Sequence, residues 1–412
     1  MWRRLSEEHD TVVVGAGQAG LAMSAVLHQH GVEHIVLERQ RVGERWRSER
    51  WDSLRFQFPN WTLELPGYRY EGTDPDGFAH NREILQIIED YARDSGAPVR
   101  EHCEVTGLGA GRDGQGFVVS VAARSLLARH VVIATGPFQR PLIPEFAHEV
   151  PRSVQQLDPT SYRRPEQLPL GAVLVVGSGA SGTQIADELL HAGRTVYLSV
   201  SRHRRVPRRF RGKDVYWWLE KMGRFAQPID SLPDRRLPPS TLVTGIQGGY
   251  DVDIRGLAAA GAHVVGRVVA ITDGVVATDQ DAEPILKEAD QAFDDFVSAA
   301  RQFVKMNGLT ELDDEDLDGS PIQVRIDGVR SIHLARANIS TIIWATGYTY
   351  DFDWVKLPVL DEHGRPQQRR GVTQHRGLYF VGLHWMHTFK SGLLSGVGAD
   401  AEYLFDHIRN TS

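Results

Sequence analysis

The sequence contains a single cysteine, no long apolar run and no excess of positive charge. One cysteine in 412 residues excludes an intramolecular disulfide and a dithiol redox pair. No stretch approaches the roughly 20 apolar residues that a membrane-spanning helix needs, so stable membrane insertion is not expected. The net charge of -7 argues against nucleic acid as a partner, although Arg202–Arg211 form a local basic segment.

The start of the chain also lacks the pattern of a secretion signal. It has two arginines but no apolar segment before the first acidic residues, so we expect a cytoplasmic location. A length of 412 residues predicts two domains. A hydrophobic content of 41% with 24% charged residues is typical of a globular protein in water.

The clearest motif is a glycine-rich turn near the N-terminus, "VVGAGQAG", which follows a β-branched strand and opens a helix. Gly15, Gly17 and Gly20 have the spacing G-x-G-x-x-G, which allows a tight turn, close approach to a pyrophosphate, and close helix–strand packing. Glu38 ends the next strand, where a carboxylate accepts hydrogen bonds from ribose hydroxyls. This unit predicts an adenosine diphosphate moiety with an unmodified ribose.

A second turn of the same design, "VVGSGASG", has its glycines at Gly177, Gly179 and Gly182. The strand after it ends in "LSVSRHRR", so Arg202 stands where the first unit has Glu38. A carboxylate there would repel a 2′-phosphate, whereas a guanidinium pairs with it bidentately. The second turn therefore predicts NADP(H) in preference to NAD(H).

Two such units predict an α/β fold with two Rossmann-like dinucleotide-binding domains. Hydride transfer from a nicotinamide to a second, tightly bound redox cofactor makes that second cofactor FAD. Apolar periodicity further predicts a helical insert near 280–308 and a terminal helix near 397–408.

The order of six motifs resembles the class B flavoprotein monooxygenases, which include flavin-containing N- and S-oxygenases, plant YUCCA enzymes and Baeyer–Villiger monooxygenases. The motifs are "GAGQAG…LER", "VGERWRSERWDSLRF", "ATGPF", "GSGASG…SRH", "WATGYTYDF" and "GLYFVGLHW…KSGLLSGVGADA". Within this family the sequence resembles a bacterial group of short YUCCA-like flavoproteins, and the resemblance covers nearly the whole chain. It is strongest at 9–65, 130–220 and 340–405 and weakest at 225–335.

The resemblance implies a discontinuous FAD domain, 1–165 and 335–412, with an NADPH domain inserted at 166–334 that carries the helical segment near 280–308. The two "ATG" stretches, Ala134–Gly136 and Ala345–Gly347, match hinge strands between such domains.

The implied activity is NADPH- and O2-dependent oxygenation of a small N or S nucleophile through a C4a-(hydro)peroxyflavin. The partners are then O2 and a small-molecule substrate, and a homodimer is left open. Two alternatives stay open as well. One is Baeyer–Villiger or YUCCA-like oxidative decarboxylation of a carbonyl or 2-oxo acid. The other is an NADPH:acceptor flavin reductase without oxygen insertion.

The resemblance assigns site residues but identifies no catalytic residue and no metal ligand. The expected FAD residues are Gly15, Gly17, Gln18, Ala19, Gly20, Glu38, Arg39, Arg45, Trp46, Val105, Thr135, Gly136 and Leu393. The expected NADPH residues are Gly177, Ser178, Gly179, Ala180, Ser181, Gly182, Arg202, Thr346 and Gly347. The flavin-proximal candidates for a catalytic role are Asn60, His384, Lys390 and Ser391.

One departure from the family concerns the hallmark F-x-G-x-x-x-H followed by an aromatic residue. The corresponding positions hold Arg152, Val154 and Asp158, with Tyr162 as the aromatic residue. The missing residues weaken a Baeyer–Villiger assignment most and leave N- or S-oxygenation ahead.

Overall fold

Each glycine turn follows a strand that ends in a buried run of valines, and each of these two strands has a parallel neighbour on both sides. The computed structural model describes residues 7–111, 114–122, 124–233, 238–309, 311–312, 320–326 and 328–410. Residues 1–6, on which the expectation about a secretion signal partly depends, lie outside the described residues.

The helices of the described chain include the predicted terminal helix, which is α8 and is a few residues longer than expected. They are α1 (Gln18–Gln29), α2 (Glu44–Ser48), α3 (Asn81–Asp94), α4 (Ala180–His191), α5 (Val215–Lys221), α6 (Ile254–Ala259), α7 (Ala282–Asn307) and α8 (Leu394–Arg409). Short 3-10 helices occupy Asn60–Thr62, Glu145–Glu149, Pro165–Gln167, Ile229–Ser231, Ile246–Gly248 and Phe389–Gly392.

The strands lie before and between these helices, often several in succession. They are β1 (Glu7–Val14), β2 (His34–Leu37), β3 (Glu64–Leu65), β4 (Tyr68–Arg69), β5 (Val99–Arg100), β6 (Val105–Ala110), β7 (Phe117–Val121), β8 (Arg124–Ile133), β9 (Arg140–Pro141), β10 (Gln155–Leu157), β11 (Ala172–Val176), β12 (Val196–Ser199), β13 (His203–Arg204), β14 (Arg209–Phe210), β15 (Lys213–Asp214), β16 (Ser240–Thr241), β17 (Val243–Thr244), β18 (Tyr250–Asp251), β19 (His263–Val265), β20 (Val268–Thr272), β21 (Val275–Thr278), β22 (Ser331–His333), β23 (Ile339–Trp344), β24 (Tyr348–Thr349), β25 (Gln368–Arg369), β26 (Val372–Thr373) and β27 (Leu378–Phe380).

The first sheet has the order β25-β26-β27-β8-β1-β2-β5, and β7 joins it by pairing with β8 and β6. Its strands β27, β8, β1, β2 and β5 run parallel. Helix α1 packs closely on this sheet and on α8, because its buried face is built from small residues such as Ala19, Ala22 and Ala25. A sheet whose strands are buried on both faces is expected for parallel α/β architecture.

The second sheet has the order β10-β23-β11-β12-β19, and all of its pairs are parallel. Because β10 and β23 lie at 155–157 and 339–344, this sheet extends beyond the predicted insert of 166–334 on both sides. The mixed α/β class is confirmed, and the exact domain boundaries stay a prediction.

The predicted helical insert is present as α7, which begins at Ala282 and ends at Asn307 before Gly308 in a left-handed conformation (φ 61°). Its buried residues include Phe293, Phe296 and Ala300, which pack with the aromatic side chains of α5. The helix therefore stabilises the wall formed by α5.

A buried ion pair connects this wall to the segment that follows α2. Arg208 Nε lies 2.8 Å from Asp214 Oδ2, and the two side chains are 2% and 7% exposed. Arg208 Nη1 also donates to the carbonyl oxygen of Gln57 at 2.8 Å, and its guanidinium carbon lies 4.2 Å from the ring centre of Phe78. Asp214 in turn begins α5 by accepting a hydrogen bond from the Tyr216 N–H at 2.9 Å.

The substitution Asp214→Ala is expected to lower the free energy of unfolding by about 3–5 kcal/mol, because it leaves the Arg208 guanidinium buried without its counter-ion. Urea unfolding followed by circular dichroism measures the change. The control Asp90→Ala, which removes an exposed partner of Arg93, should cost at most about 1 kcal/mol. An Asp214→Ala protein as stable as this control would contradict the structural role of the pair.

Candidate functional site

Both glycine turns open onto one cavity of about 1190 Å³. Residues of the first turn and of α1 line one part of its wall, and the first residues of α4 line another part. Apolar side chains from α5 and α7, together with the segment 382–394, complete the enclosure.

The first turn has a geometry that only glycine can supply at two of its three positions. Gly15 has φ 108°, and a Cβ added there would lie 2.7 Å from the carbonyl oxygen of Ala134. A Cβ on Gly20 would lie 1.8 Å from the carbonyl oxygen of Gly15, so helix and turn are in direct contact. Gly17 differs, because a Cβ there would meet no atom of the described chain within 4 Å. Protein packing therefore does not explain this glycine.

The second turn repeats this geometry. Gly177 has φ 106°, and an added Cβ would lie 2.4 Å from the carbonyl oxygen of Ala345. A Cβ on Gly182 would lie 1.9 Å from the carbonyl oxygen of Gly177, whereas Gly179 has only Ser240 Oγ in ordinary contact at 3.5 Å. The middle glycine of both turns thus borders open space that belongs to the cavity.

The N-termini of α1 and α4 present unpaired peptide N–H groups to this space. Among the described residues, neither helix has a side chain capping its N-terminus, and neither has an acidic residue in its first turn. Such helix ends favour anions, because the exposed N–H groups and the helix dipole both attract negative charge.

The residues after the second strand of each unit differ in charge. The Glu38 carboxylate accepts hydrogen bonds from the N–H groups of Ala16, at 2.8 Å, and Gln40, at 2.9 Å. In the second unit the strand register places Val200 at the position of Glu38, and the Ser201 N–H donates to Ser178 Oγ at 2.8 Å. The second unit therefore has no carboxylate where the first has Glu38.

Most of the expected FAD residues line the cavity, and they come from five separate segments of the chain. The lining includes Gly15, Gly17, Gln18, Ala19, Glu38, Arg39, Arg45, Trp46, Val105, Thr135, Gly136 and Leu393. Gly20 does not line it, because it packs beneath Gly15.

Fewer of the expected NADPH residues reach the cavity. Gly179, Ala180, Ser181 and Gly347 line it, whereas Gly177, Ser178, Gly182, Arg202 and Thr346 do not. Three of the absences have simple structural causes. Gly177 and Gly182 pack against each other, and the buried Ser178 hydroxyl donates to the carbonyl oxygen of Ser201 at 3.1 Å.

Arg202 is an exposed side chain whose Nε lies 3.7 Å from Glu288 Oε1. Thr346 donates its hydroxyl to the carbonyl oxygen of Leu142.

The two "ATG" segments are held together by a glutamine that the sequence did not single out. Gln139 Nε2 donates to Thr135 Oγ1 at 2.9 Å, and its Oε1 accepts from the Asp351 N–H at 2.6 Å. Nearby, β9 pairs with β24, and the Leu142 N–H donates to the carbonyl oxygen of Gly347 at 2.9 Å. These contacts fix the two glycine turns relative to each other, because each turn packs on one "ATG" segment.

Three of the four flavin-proximal candidates do not line the cavity. Asn60 is buried and bonds to the loop around it, donating to the carbonyl oxygen of Asp74 and accepting from the Ala79 N–H. Ser391 is buried and accepts hydrogen bonds from the backbone N–H groups of His387 and Thr388, which is a local structural role.

Lys390 forms an ion pair with Glu220 at 2.8 Å, so it joins the C-terminal segment to α5. We therefore do not retain Asn60, Ser391 or Lys390 as candidates for chemistry.

His384 does line the cavity, and its ring meets Phe138 edge-on with ring centres 5.0 Å apart. The surrounding protein atoms desolvate the ring and lower its pKa to about 4. The imidazole is therefore neutral at physiological pH and can donate or accept a hydrogen bond without carrying charge.

An aromatic chamber forms the part of the cavity that the sequence did not predict. Its members come from segments far apart in the chain, so no local pattern reveals them; they include Phe56, Phe58, Tyr216, Leu219, Met222, Phe225, Phe296, Trp385 and Phe389. Phe58 stacks on Tyr216 with ring centres 4.2 Å apart, and Phe225 stacks on Phe389 with ring centres 5.1 Å apart. Trp218 belongs to the core behind this chamber and donates its indole N–H to the Phe210 carbonyl oxygen.

Within the described part of the chain, no group of three or more His, Cys, Asp or Glu residues is arranged to hold a metal ion. Over the same residues, no helix has both the length and the apolar content needed to cross a membrane.

Comparison with known proteins gives matches along the whole chain. Residues 12–222 match the pyridine nucleotide-disulphide oxidoreductase family. A Geobacillus kaustophilus protein described as "uncharacterized oxidoreductase CzcO-like" is 35% identical over 404 residues, which cover 97% of this chain and 98% of that protein. The indole-3-pyruvate monooxygenase YUCCA1 of Oryza sativa is 32% identical over 188 residues, 44% of this chain and 45% of that protein.

The fold is similar to that of a flavin-containing monooxygenase from Stenotrophomonas maltophilia. The TM-score is 0.67 at 18% identity, and the alignment covers 98% of this chain and 99% of that structure. Together these matches confirm the resemblance to class B flavoprotein monooxygenases.

The low pKa of His384 predicts a specific loss of stability in acid. The pKa of about 4 in the folded protein lies below the roughly 6.5 of an unfolded histidine. Its contribution is therefore present above pH 6.5 and is lost as the pH falls toward 4, because the unfolded chain binds the proton more readily.

His384→Gln should thus lose less thermal stability than the wild type between pH 7 and pH 5, measured by differential scanning calorimetry. His363→Gln, at an exposed turn, serves as the control and should behave like the wild type. The buried His34, His130 and His203 are present in all three proteins, so their protonation cancels from the comparison. An equal loss in His384→Gln and wild type would contradict the assignment.

Proposed function

This chain belongs to the pyridine nucleotide-disulphide oxidoreductase family, and on that premise we propose that it is an NADPH- and O2-dependent FAD monooxygenase. The substrate is a small molecule with a nucleophilic nitrogen or sulfur. The observation that carries the proposal is the pair of matching glycine turns on one cavity. Only the first unit has an acidic residue, Glu38, after its second strand.

The first turn fits FAD. The space beside Gly17 is the place where a pyrophosphate can approach the backbone, and the free N–H groups of α1 favour its charge. Glu38 and Val105 line the cavity on the side where the adenosine would lie, and Trp46 lines the same wall. The residues that would hold FAD are therefore those expected from the sequence, with Gly20 acting through packing.

The second turn fits NADPH. Gly179, Ala180 and Ser181 offer the same cradle at the start of α4, and Gly179 leaves room for a pyrophosphate. The Ser178–Ser201 pair places no negative charge near a 2′-phosphate. Arg202 is exposed and only loosely paired with Glu288, so its guanidinium is available to that phosphate.

When bound, FAD supplies hydride acceptance from NADPH and the activation of O2. The protein contributes position and enclosure. Gln139 fixes the two "ATG" segments and, through them, the two cradles. The aromatic chamber excludes water from the reacting centre, which protects reactive species from side reactions. His384 offers a neutral imidazole at the cavity wall.

In this proposal the two sheets belong to two Rossmann-like domains, an FAD domain built on the first sheet and an NADPH domain built on the second. The expected bounds are 1–165 and 335–412 for the FAD domain and 166–334 for the NADPH domain. The pairing of β10 and β23 within the second sheet supports a wider NADPH domain, with crossing points before Gln155 and after Trp344. A cytoplasmic location and a homodimer stay predictions.

A second candidate is oxygenation of a carbonyl or 2-oxo acid with decarboxylation. The similarity to a rice indole-3-pyruvate monooxygenase over 188 residues favours it, although that match spans less than half of each chain. A flavin reductase that inserts no oxygen is the third candidate, and the single cysteine excludes its dithiol form within one chain.

Rapid-mixing spectroscopy separates the two oxygenase candidates from the reductase. NADPH should reduce the flavin under anaerobic conditions, and the reduced protein is then mixed with O2 in the presence of NADP⁺. An oxygenase returns to oxidised flavin through a slow, separate absorbance phase, and its consumed O2 appears in product once substrate is present. Direct return with one H2O2 per NADPH would instead support the reductase.

Gly17→Ala should abolish flavin binding while leaving the fold intact. The residue has φ -84° and no atom within 4 Å of an added Cβ, so alanine causes no clash within the protein. The methyl group would instead fill the space that the pyrophosphate needs. We expect at least a tenfold lower flavin content with a thermal midpoint close to that of the wild-type apoprotein.

Gly109→Ala is the matched control, because its added Cβ is equally free of contacts and lies on β6 outside the cavity lining. It should retain full flavin content. A Gly17→Ala protein with one FAD per chain would overturn the assignment of the first cradle.

Arg202→Gln should raise KM for NADPH about 10–100-fold and leave KM for NADH unchanged, because only NADPH has a phosphate for the guanidinium to bind. Steady-state kinetics with both nucleotides measures the effect. Arg209→Gln removes the same charge from the same basic segment at an exposed residue outside the cavity lining, and it should change neither constant. A wild-type preference for NADH would contradict the choice of cofactor.

A further inference from the structure

Two arginines face the cavity without a counter-ion. Arg204 lies on β13, is half-buried and lines the cavity wall. Arg224 follows α5 and lines the same wall. Within the described chain, neither side chain forms an ion pair or a side-chain hydrogen bond.

The two charges are close enough to influence each other. Burial is the main cause that lowers the pKa of Arg204, and repulsion from Arg224 lowers it further. Arg204 is half-buried and Arg224 is exposed, so an anion between them would relieve the repulsion and offset the desolvation of Arg204. Asp295 also lines this wall and attracts Arg204, but it forms an ion pair with neither arginine; it accepts a hydrogen bond from Gln291 Nε2 at 3.0 Å instead.

The elements that carry or contact this pair also supply apolar side chains to the cavity. Leu219, Met222 and Phe225 come from α5 and the residues after it, and Phe296 and Ala299 come from α7. An apolar wall with two unpaired cations suits a molecule that has a hydrocarbon or aromatic body and one negative end. The pyrophosphate of a dinucleotide, by contrast, is already served by the N-terminus of α4.

We propose that Arg204 and Arg224 form a substrate-anion subsite, which holds the carboxylate of an organic acid whose apolar body lies against Leu219, Met222, Phe225 and Phe296. The inference rests on the proposed function only in taking this cavity to be the substrate cavity. It names a substrate class that the glycine turns do not specify, and it leaves open where on the acid the oxygen is inserted.

Isothermal titration calorimetry on the purified full-length protein tests the subsite, with 3-phenylpropionate as the acid and 3-phenylpropionamide as its neutral isostere. The wild type should bind the acid at least tenfold more tightly than the amide, since each charge-assisted hydrogen bond to a carboxylate adds about that factor. Arg204→Gln and Arg224→Gln should each remove most of this preference while the Kd for the amide changes less than twofold. Arg82→Gln, at an exposed position on α3 outside the cavity lining, is the charge-matched control and should behave like the wild type.

Three outcomes overturn the subsite. Two of them concern the wild type alone: equal Kd values for the acid and the amide, or a Kd for the acid above 1 mM. Weakened NADP⁺ binding in Arg204→Gln and Arg224→Gln, with acid binding unchanged, assigns the arginines to a cofactor phosphate.

The calorimetric readout needs neither flavin nor turnover. A protein that binds the acid through these arginines but fails to retain FAD would therefore refute the proposed function and leave the subsite standing.

Discussion

The close contact between each glycine turn and the strand beside it is the constraint on which the site depends. An added Cβ would lie 2.7 Å from the Ala134 carbonyl oxygen at Gly15 and 2.4 Å from the Ala345 carbonyl oxygen at Gly177. Because the turn lies directly on the next strand, the helix after it begins at the sheet edge with its N–H groups facing outward. The position of the anion-attracting helix ends on the cavity and their contact with the two "ATG" segments follow from these two backbone contacts.

The same contacts explain why the two cradles act as one unit. Ala134 and Ala345 begin the two "ATG" segments, and Gln139 bridges these segments through Thr135 and Asp351. A shift of one glycine turn would therefore displace the other through the bridge. Hydride transfer between two bound cofactors needs such a fixed distance, because the rate depends steeply on the alignment of donor and acceptor.

The glycine turns, the strands before them and α7 could be predicted from the sequence, because their signals are local: fixed spacing, buried β-branched runs and apolar periodicity. The flavin-proximal candidates illustrate the limit. Asn60, Ser391 and His384 all lie near motifs in the chain, but only the tertiary contacts show that the first two bond to their own loops while His384 reaches the cavity. The aromatic chamber and the Arg204–Arg224 pair combine segments far apart in sequence, so no spacing rule could assemble them.

In the segment that replaces the missing F-x-G-x-x-x-H hallmark, the side chains of Asp158 and Tyr162 bond to other protein groups. Asp158 accepts hydrogen bonds from the N–H and hydroxyl groups of Thr160, and the Tyr162 hydroxyl donates to Glu188 Oε2 at 2.7 Å. Ser53 donates to the other oxygen of the same carboxylate, so this stretch joins the segment after α2 to α4. Of the described residues 152–162, Pro159 lines the cavity, and it has no polar side chain. Any imidazole chemistry in this cavity must therefore come from another segment, and among the residues that line it His384 supplies that group.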